Sequence, residues 1–269
     1  MTHLFVTASG TDIGKTVISE ILIRQLIVKG KKVATLKPVL SGLEGVPLEE
    51  TDSGRMLLAM GGDVSEEAIA AITPWRFDPP LSPDMAARRA GQTMKLDELI
   101  DFCMAPTDQD YVLVEGSGGG LVPINAEATM SDWMVALKSK TDLRVVLVVG
   151  SYLGTISHTL TALESLNARG LTPAIIVIST SEVNPVPVEE TVEVMERFAD
   201  NVPIAIVPRL DCINVGAQNE QPKQAVKLKI NHVEQLPSSV FRISGKRLSV
   251  RKRDKKMLEI GFFQSKPVS

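Results

Sequence analysis

Residues 7–16, TASGTDIGKT, follow the apolar run Leu4-Phe5-Val6 and open a helical pattern over 15–29. A strand, a glycine-bearing loop ending in Gly14-Lys15-Thr16 and then a helix form the setting of a phosphate-binding loop. In such a loop successive backbone N–H groups wrap the phosphates, and the helix presents its positive N-terminal end. Asp12, Ile13, Gly14, Lys15, Thr16 and Val17 are therefore the candidate phosphate contacts. Lys15 would reach the β- and γ-phosphates, and the Thr16 hydroxyl would ligate Mg²⁺. The leading glycine of the pattern G-x-x-x-x-G-K-[ST] is missing. Small residues, Ala8-Ser9, leave the strand there, and Gly10 adds a flexible point. The glycine that must let phosphate close to the backbone is the one before the lysine, and Gly14 supplies it.

The rest of the chain fits a sheet of the same kind. Apolar runs at 3–7, 33–39, 111–115, 145–149, 174–179 and 203–207 alternate with helical patterns at 15–29, 53–60, 95–103, 131–138, 157–169 and 188–199. Continuous apolar runs suit parallel strands buried on both faces. The expected architecture is α/β: a three-layer P-loop NTPase fold with a mostly parallel central sheet flanked by helices. Ligands then gather at the carboxyl ends of the strands. The stretch 73–91 is proline-rich and then helix-like, and reads as a structured loop. Expected domains are 1–210 and a basic extension, 211–269. Residues 223–269 hold twelve Lys or Arg against three Asp or Glu, although the whole chain of 269 residues carries a formal charge of −3. Segments 223–230 and 240–250 could be short strands, or the extension could be loosely attached.

Three further strand ends carry polar chemistry. Lys37-Pro38-Val39-Leu40-Ser41-Gly42 closes the second run. Read alone, Lys37 is equally a surface lysine entering a turn; beside a P-loop it faces the phosphates. Glu115-Gly116-Ser117-Gly118 follows the run Tyr111–Val114, an acidic residue at a strand end in the manner of a Walker B carboxylate that holds Mg²⁺. Asp52 is a weaker metal candidate and equally a helix N-cap. Ser179-Thr180 and Val207-Pro208-Arg209 end the last two runs and by position could border a purine. His158 reads as a local hydrogen-bonding residue near a helix start.

Composition narrows the classes. A mildly negative chain is not favoured as a nucleic-acid binder. The two cysteines, Cys103 and Cys212, form no C-x-x-C pair. They suit a reducing cytoplasm better than a disulfide or zinc scaffold. No basic leader or long apolar segment is visible, so neither secretion nor membrane insertion is expected.

Taken together, the P-loop, KPVLSG, VEGSGG, GSYLGTISH and IVPRL resemble the ATP-dependent dethiobiotin synthetase family, in family order over roughly residues 1–210. The resemblance implies a cytoplasmic homodimeric ligase of biotin biosynthesis. Such an enzyme joins carbon dioxide (or bicarbonate) to 7,8-diaminopelargonate, closing a cyclic urea as ATP becomes ADP and phosphate. It implies an active-site role for Lys37 beside Lys15, and Mg²⁺ on Thr16, Asp52 and Glu115. It also implies substrate contacts from Thr11 and Ser41, and from Leu153, Gly154 and Ser157 reaching a partner's site. Tyr152, Ser157 and Ser179 depart from the family pattern, at positions concerned with the substrate carboxylate and the base. The rival class is a partitioning or positioning ATPase switch. Those proteins place a second lysine early in the loop, as in KGGxGKT, where this chain has Ala8 to Gly10.

Overall fold

The computed structural model describes residues 1–209 and, beyond them, the backbone of three strands at Phe241–Ile243, Lys246–Arg253 and Met257–Phe263. The elements begin with β1 (Thr2–Ala8), α1 (Lys15–Val28), β2 (Val33–Leu36) and β3 (Val39–Ser41). They continue with α2 (Asp52–Met60), α3 (Glu66–Ile72), β4 (Trp75–Phe77), α4 (Pro83–Arg89), α5 (Leu96–Met104) and β5 (Tyr111–Glu115). Next come α6 (Met130–Lys138), β6 (Asp142–Val149), α7 (Thr155–Asn167), β7 (Ile175–Ser179), α8 (Val188–Glu196) and β8 (Ile204–Val207).

Six strands form one sheet in the order β2-β5-β1-β6-β7-β8, and every pairing in it is parallel. Alternation along β1 sends Phe5 to one face and Val6 and Ala8 to the other, each into its own buried cluster. Ile18 and Ile23 of α1 and Met56 and Ala59 of α2 cover the Val6 face. Residues of α4, α5, α6, α7 and α8 cover the Phe5 face, where Phe5 meets Trp133 edge-on at 5.0 Å. This three-layer arrangement brings every expected strand end to the same edge of the sheet.

The run 33–39 is not one strand. Pro38 has no N–H to give to a ladder, and β2 stops at Leu36. The chain steps out of the sheet, and β3 pairs in parallel with β4 in a separate two-stranded ribbon. Lys37 lies in the break, its N–H held by the Ile72 carbonyl at 3.0 Å. The stretch read as a structured loop, 73–91, contains β4 and the short helix α4, which has Pro83 in its first turn. Helix α3 was not expected from the sequence. Its seven residues are too few to show a period, but Ser65 caps it by accepting from the Ala68 N–H at 3.1 Å.

The strands at 241–263 form an antiparallel sheet of their own. Two of them fall near the strand expected at 240–250; the one expected at 223–230 lies outside the described residues.

Candidate active site

The phosphate loop is shaped by Gly14. It stands at the N-cap of α1 with φ 93°, a left-handed conformation that glycine adopts freely. A Cβ there would sit 2.4 Å from Ser179 Oγ, so the loop rests directly against the end of β7. No side chain caps α1, and its first turn carries no acid. Its N–H groups and positive end are thus left for an anion. Thr11 and Asp12 are exposed on the outer side of the loop, with Ile13, Gly14 and Val17 partly buried.

Beneath the loop lies a charged cluster. Lys37 is 2% exposed, yet its ammonium spends all three protons: on Glu115 Oε1 at 2.8 Å, Asp52 Oδ2 at 3.0 Å and the Gly116 carbonyl at 3.0 Å. The Thr16 hydroxyl lies 2.7 Å from Asp52 Oδ1 and 3.0 Å from Glu115 Oε1. Lys15 is buried alongside. Burial alone would lower the Lys37 ammonium, but Glu115 and then Asp52 hold it above the usual lysine range. Burial and the Lys37 charge together depress Lys15. For Asp52, burial works upward and is overcome by Lys37 and by the Thr16 hydrogen bond, which pull the carboxyl down to about 2.

Asp52 is not the cap of α2. Thr51 takes that role, its hydroxyl accepting from the Gly54 N–H at 3.0 Å, and Asp52 in the first turn is free to face Thr16 and Lys37. Gly54 makes this possible by close packing: a Cβ on it would lie 1.9 Å from the Leu48 carbonyl oxygen. The glycine loop after β5 passes over the phosphate loop. The Gly116 N–H donates to the Val6 carbonyl at 3.0 Å, and a Cβ on Gly119 would stand 3.2 Å from the Ala8 carbonyl oxygen. Gly118, at φ 68°, turns the chain beside Thr11.

The remaining expected residues fall into three groups. Ser117 donates to the Val39 carbonyl at 2.7 Å and Ser41 to the Leu81 carbonyl at 2.8 Å, so both fasten the ribbon of β3 and β4 next to Lys37. Ser179 borders Gly14, while Thr180 is tied to Val207 by its N–H and hydroxyl. Pro208 follows, and Arg209 pairs on the surface with Glu182 at 3.4 Å. Leu153, Gly154 and Ser157 stand exposed at the start of α7. Gly154 gives that helix an uncapped N-terminus without acids in its first turn, and the Tyr152 hydroxyl lies 2.9 Å from His158 Nδ1. Ser19, which no motif in the sequence marks, belongs to the cluster. It is fully buried and donates to Glu115 Oε2 at 2.5 Å. Its signal is only its spacing, one helical turn beyond Lys15 and Thr16.

Two hard carboxylates and a hydroxyl converging beside an anion-binding loop are the donors Mg²⁺ takes in company with phosphate. A family model described as an AAA domain matches residues 2–215. The ATP-dependent dethiobiotin synthetase BioD of Acidiphilium cryptum is 46% identical over 206 residues, 76% of this chain and 91% of that protein. The chain belongs to the ATP-dependent dethiobiotin synthetase family. The same enzyme of Methylobacterium nodulans is 42% identical, over 74% of this chain and 90% of its own. That of Phenylobacterium zucineum is 43% identical, over 78% and 89%. The chain is accordingly an ATP-dependent cyclo-ligase with dethiobiotin synthetase function, and the partitioning ATPase reading is set aside. Among solved structures, the MinC:MinD cell division protein complex of Aquifex aeolicus overlaps 78% of this chain and 82% of that one. Its TM-score is 0.46 and its identity 14%.

Proposed function

We propose that the cleft between the phosphate loop, Lys37 and the Glu115–Gly120 loop closes the ureido ring of dethiobiotin from 7,8-diaminopelargonate and carbon dioxide. The observation that carries this reading is the buried Lys37 ammonium held by Glu115, Asp52 and the Gly116 carbonyl beside Lys15 and Thr16. One amine of the substrate takes up carbon dioxide as a carbamate and releases a proton. The carbamate oxygen attacks the γ-phosphorus, and ADP leaves. The second amine then displaces phosphate from the carbamic–phosphoric anhydride and closes the ring.

The carbamate's approach to the γ-phosphate brings anion to anion. Like charges 4 Å apart repel by roughly 4 kcal/mol at an effective dielectric near 20. Lys15 and the N–H groups of α1 hold the phosphates, and Lys37 sits where it can neutralise the carbamate and the transferring group. Thr16, Asp52 and Glu115 would hold Mg²⁺, which when bound would supply positive charge against the phosphates. Ser41 and Thr11 flank the diamine. Ser179, Thr180 and residues 207–209 border the base. Leu153, Gly154 and Ser157 serve the substrate of a second copy, in a homodimer where the uncapped N-terminus of α7 receives the substrate carboxylate.

A cytoplasmic setting agrees with a buried free thiol at Cys103. No helix among the described residues is long and apolar enough to cross a membrane. Residues 211–269 are proposed as an appendage to the ligase domain. The test is product formation from 7,8-diaminopelargonate, bicarbonate and MgATP. ATP hydrolysis that needs no diamine and yields no cyclic urea would overturn the reading.

A further inference from the structure

We propose that Ser19 is a positioning residue that holds Glu115 to a one-oxygen presentation and so favours Mg²⁺ over larger divalent cations; this rests on the metal reading of Thr16, Asp52 and Glu115. Glu115 is fully buried at the end of β5, and its two oxygens have divided partners. Oε1 faces Lys37 at 2.8 Å and Thr16 at 3.0 Å, on the side where Asp52 also converges. Oε2 accepts from Ser19 Oγ at 2.5 Å, on a side chain that is itself fully buried.

Thr16 and Ser19 are three apart on α1 and share a face. One helix therefore grips both oxygens of a carboxylate fixed to a sheet strand. A serine inside a helix commonly turns its hydroxyl back to the carbonyl four residues earlier. Ser19 turns to the carboxylate instead. A carboxylate held in this way turns only Oε1 toward Thr16 and Lys37. Mg²⁺ accepts single oxygens in a small, near-octahedral shell, whereas Ca²⁺ is larger and often takes both oxygens of a carboxylate. Removing the Ser19 hydroxyl frees Oε2 and lets Glu115 present both.

The experiment titrates MgCl₂ and CaCl₂ calorimetrically into the full chain with ADP present, for the native protein and for Ser19→Ala. Alanine is the best helix former, and α1 keeps its fold. The expected result is that Mg²⁺ binding weakens about tenfold, as for other residues that orient a metal ligand. Ca²⁺ binding holds or tightens, so the preference for Mg²⁺ falls. Ser19→Thr, which keeps the hydroxyl, restores that preference. Equal weakening of both ions, or no change in either, would assign Ser19 to packing alone and overturn the proposal. If the native protein with ADP takes up no Mg²⁺, the metal reading itself fails, an outcome distinguishable from failure of the Ser19 role.

Discussion

A buried ammonium is stable only where carboxylates surround it, and Lys37 has two within 3.0 Å. Lys37→Gln should lower kcat by about 10²–10³-fold while leaving ATP affinity nearly intact, since the loop and Lys15 remain. Steady-state turnover and nucleotide titration check the two halves separately, and unchanged turnover would remove Lys37 from the chemistry. The same variant leaves Glu115 buried without its cation, so the metal-free protein should lose about 3–5 kcal/mol in urea unfolding. Acid acts on the same cluster. Asp52 titrates at about 2 in the fold against an ordinary 3.8, so its contribution is complete above about pH 4 and is lost as pH falls toward 2. Lys37 is shifted upward from 10.5, so its share is complete below that value and fades only in strong alkali. Urea midpoints should be level in this respect between those limits and drop below pH 4, and Asp52→Asn should flatten the drop. Lys15, Thr16 and Glu115 were legible because strand ends and the loop pattern name them. Ser19 was not, because a buried serine in a helix looks like any other until its partner from a distant strand is known.

At the level of elements, the sheet was legible and its interruptions were not. Six apolar runs gave six strands, since parallel strands buried on both faces write their burial directly into composition. The departure of β3 from the sheet depends on β4, a three-residue partner too short to announce itself. Asp52 shows the same limit: whether it caps α2 or faces Lys37 is decided by Thr51 and by the turn at Leu48–Glu50 packing on Gly54. Gly54→Ala forces that turn away from the helix and should cost about 1–3 kcal/mol. It should also weaken Mg²⁺ binding with ADP, because the first turn of α2 carries Asp52. Urea unfolding and calorimetry read the two effects, and a neutral substitution would show that the turn yields without moving the helix.

For the whole molecule, the family model stops at residue 215, ahead of the basic segment 223–269. Deleting residues after 222 should leave dethiobiotin formation within about twofold and the melting temperature little changed, surface changes away from the core being nearly neutral. Loss of soluble protein would mean instead that the segment packs into the ligase domain. The central position of β1 has a temporal consequence. Its neighbours are β5 and β6, which pair with it at Tyr111–Glu115 and Asp142–Val148, more than 100 residues later in the chain. Such distant parallel pairing is slow to form. During synthesis the loop at residues 8–16 therefore leaves the ribosome long before the walls that shape it. A nascent chain shorter than about 115 residues holds the signature of a nucleotide site without Glu115 or either of the strands that flank β1.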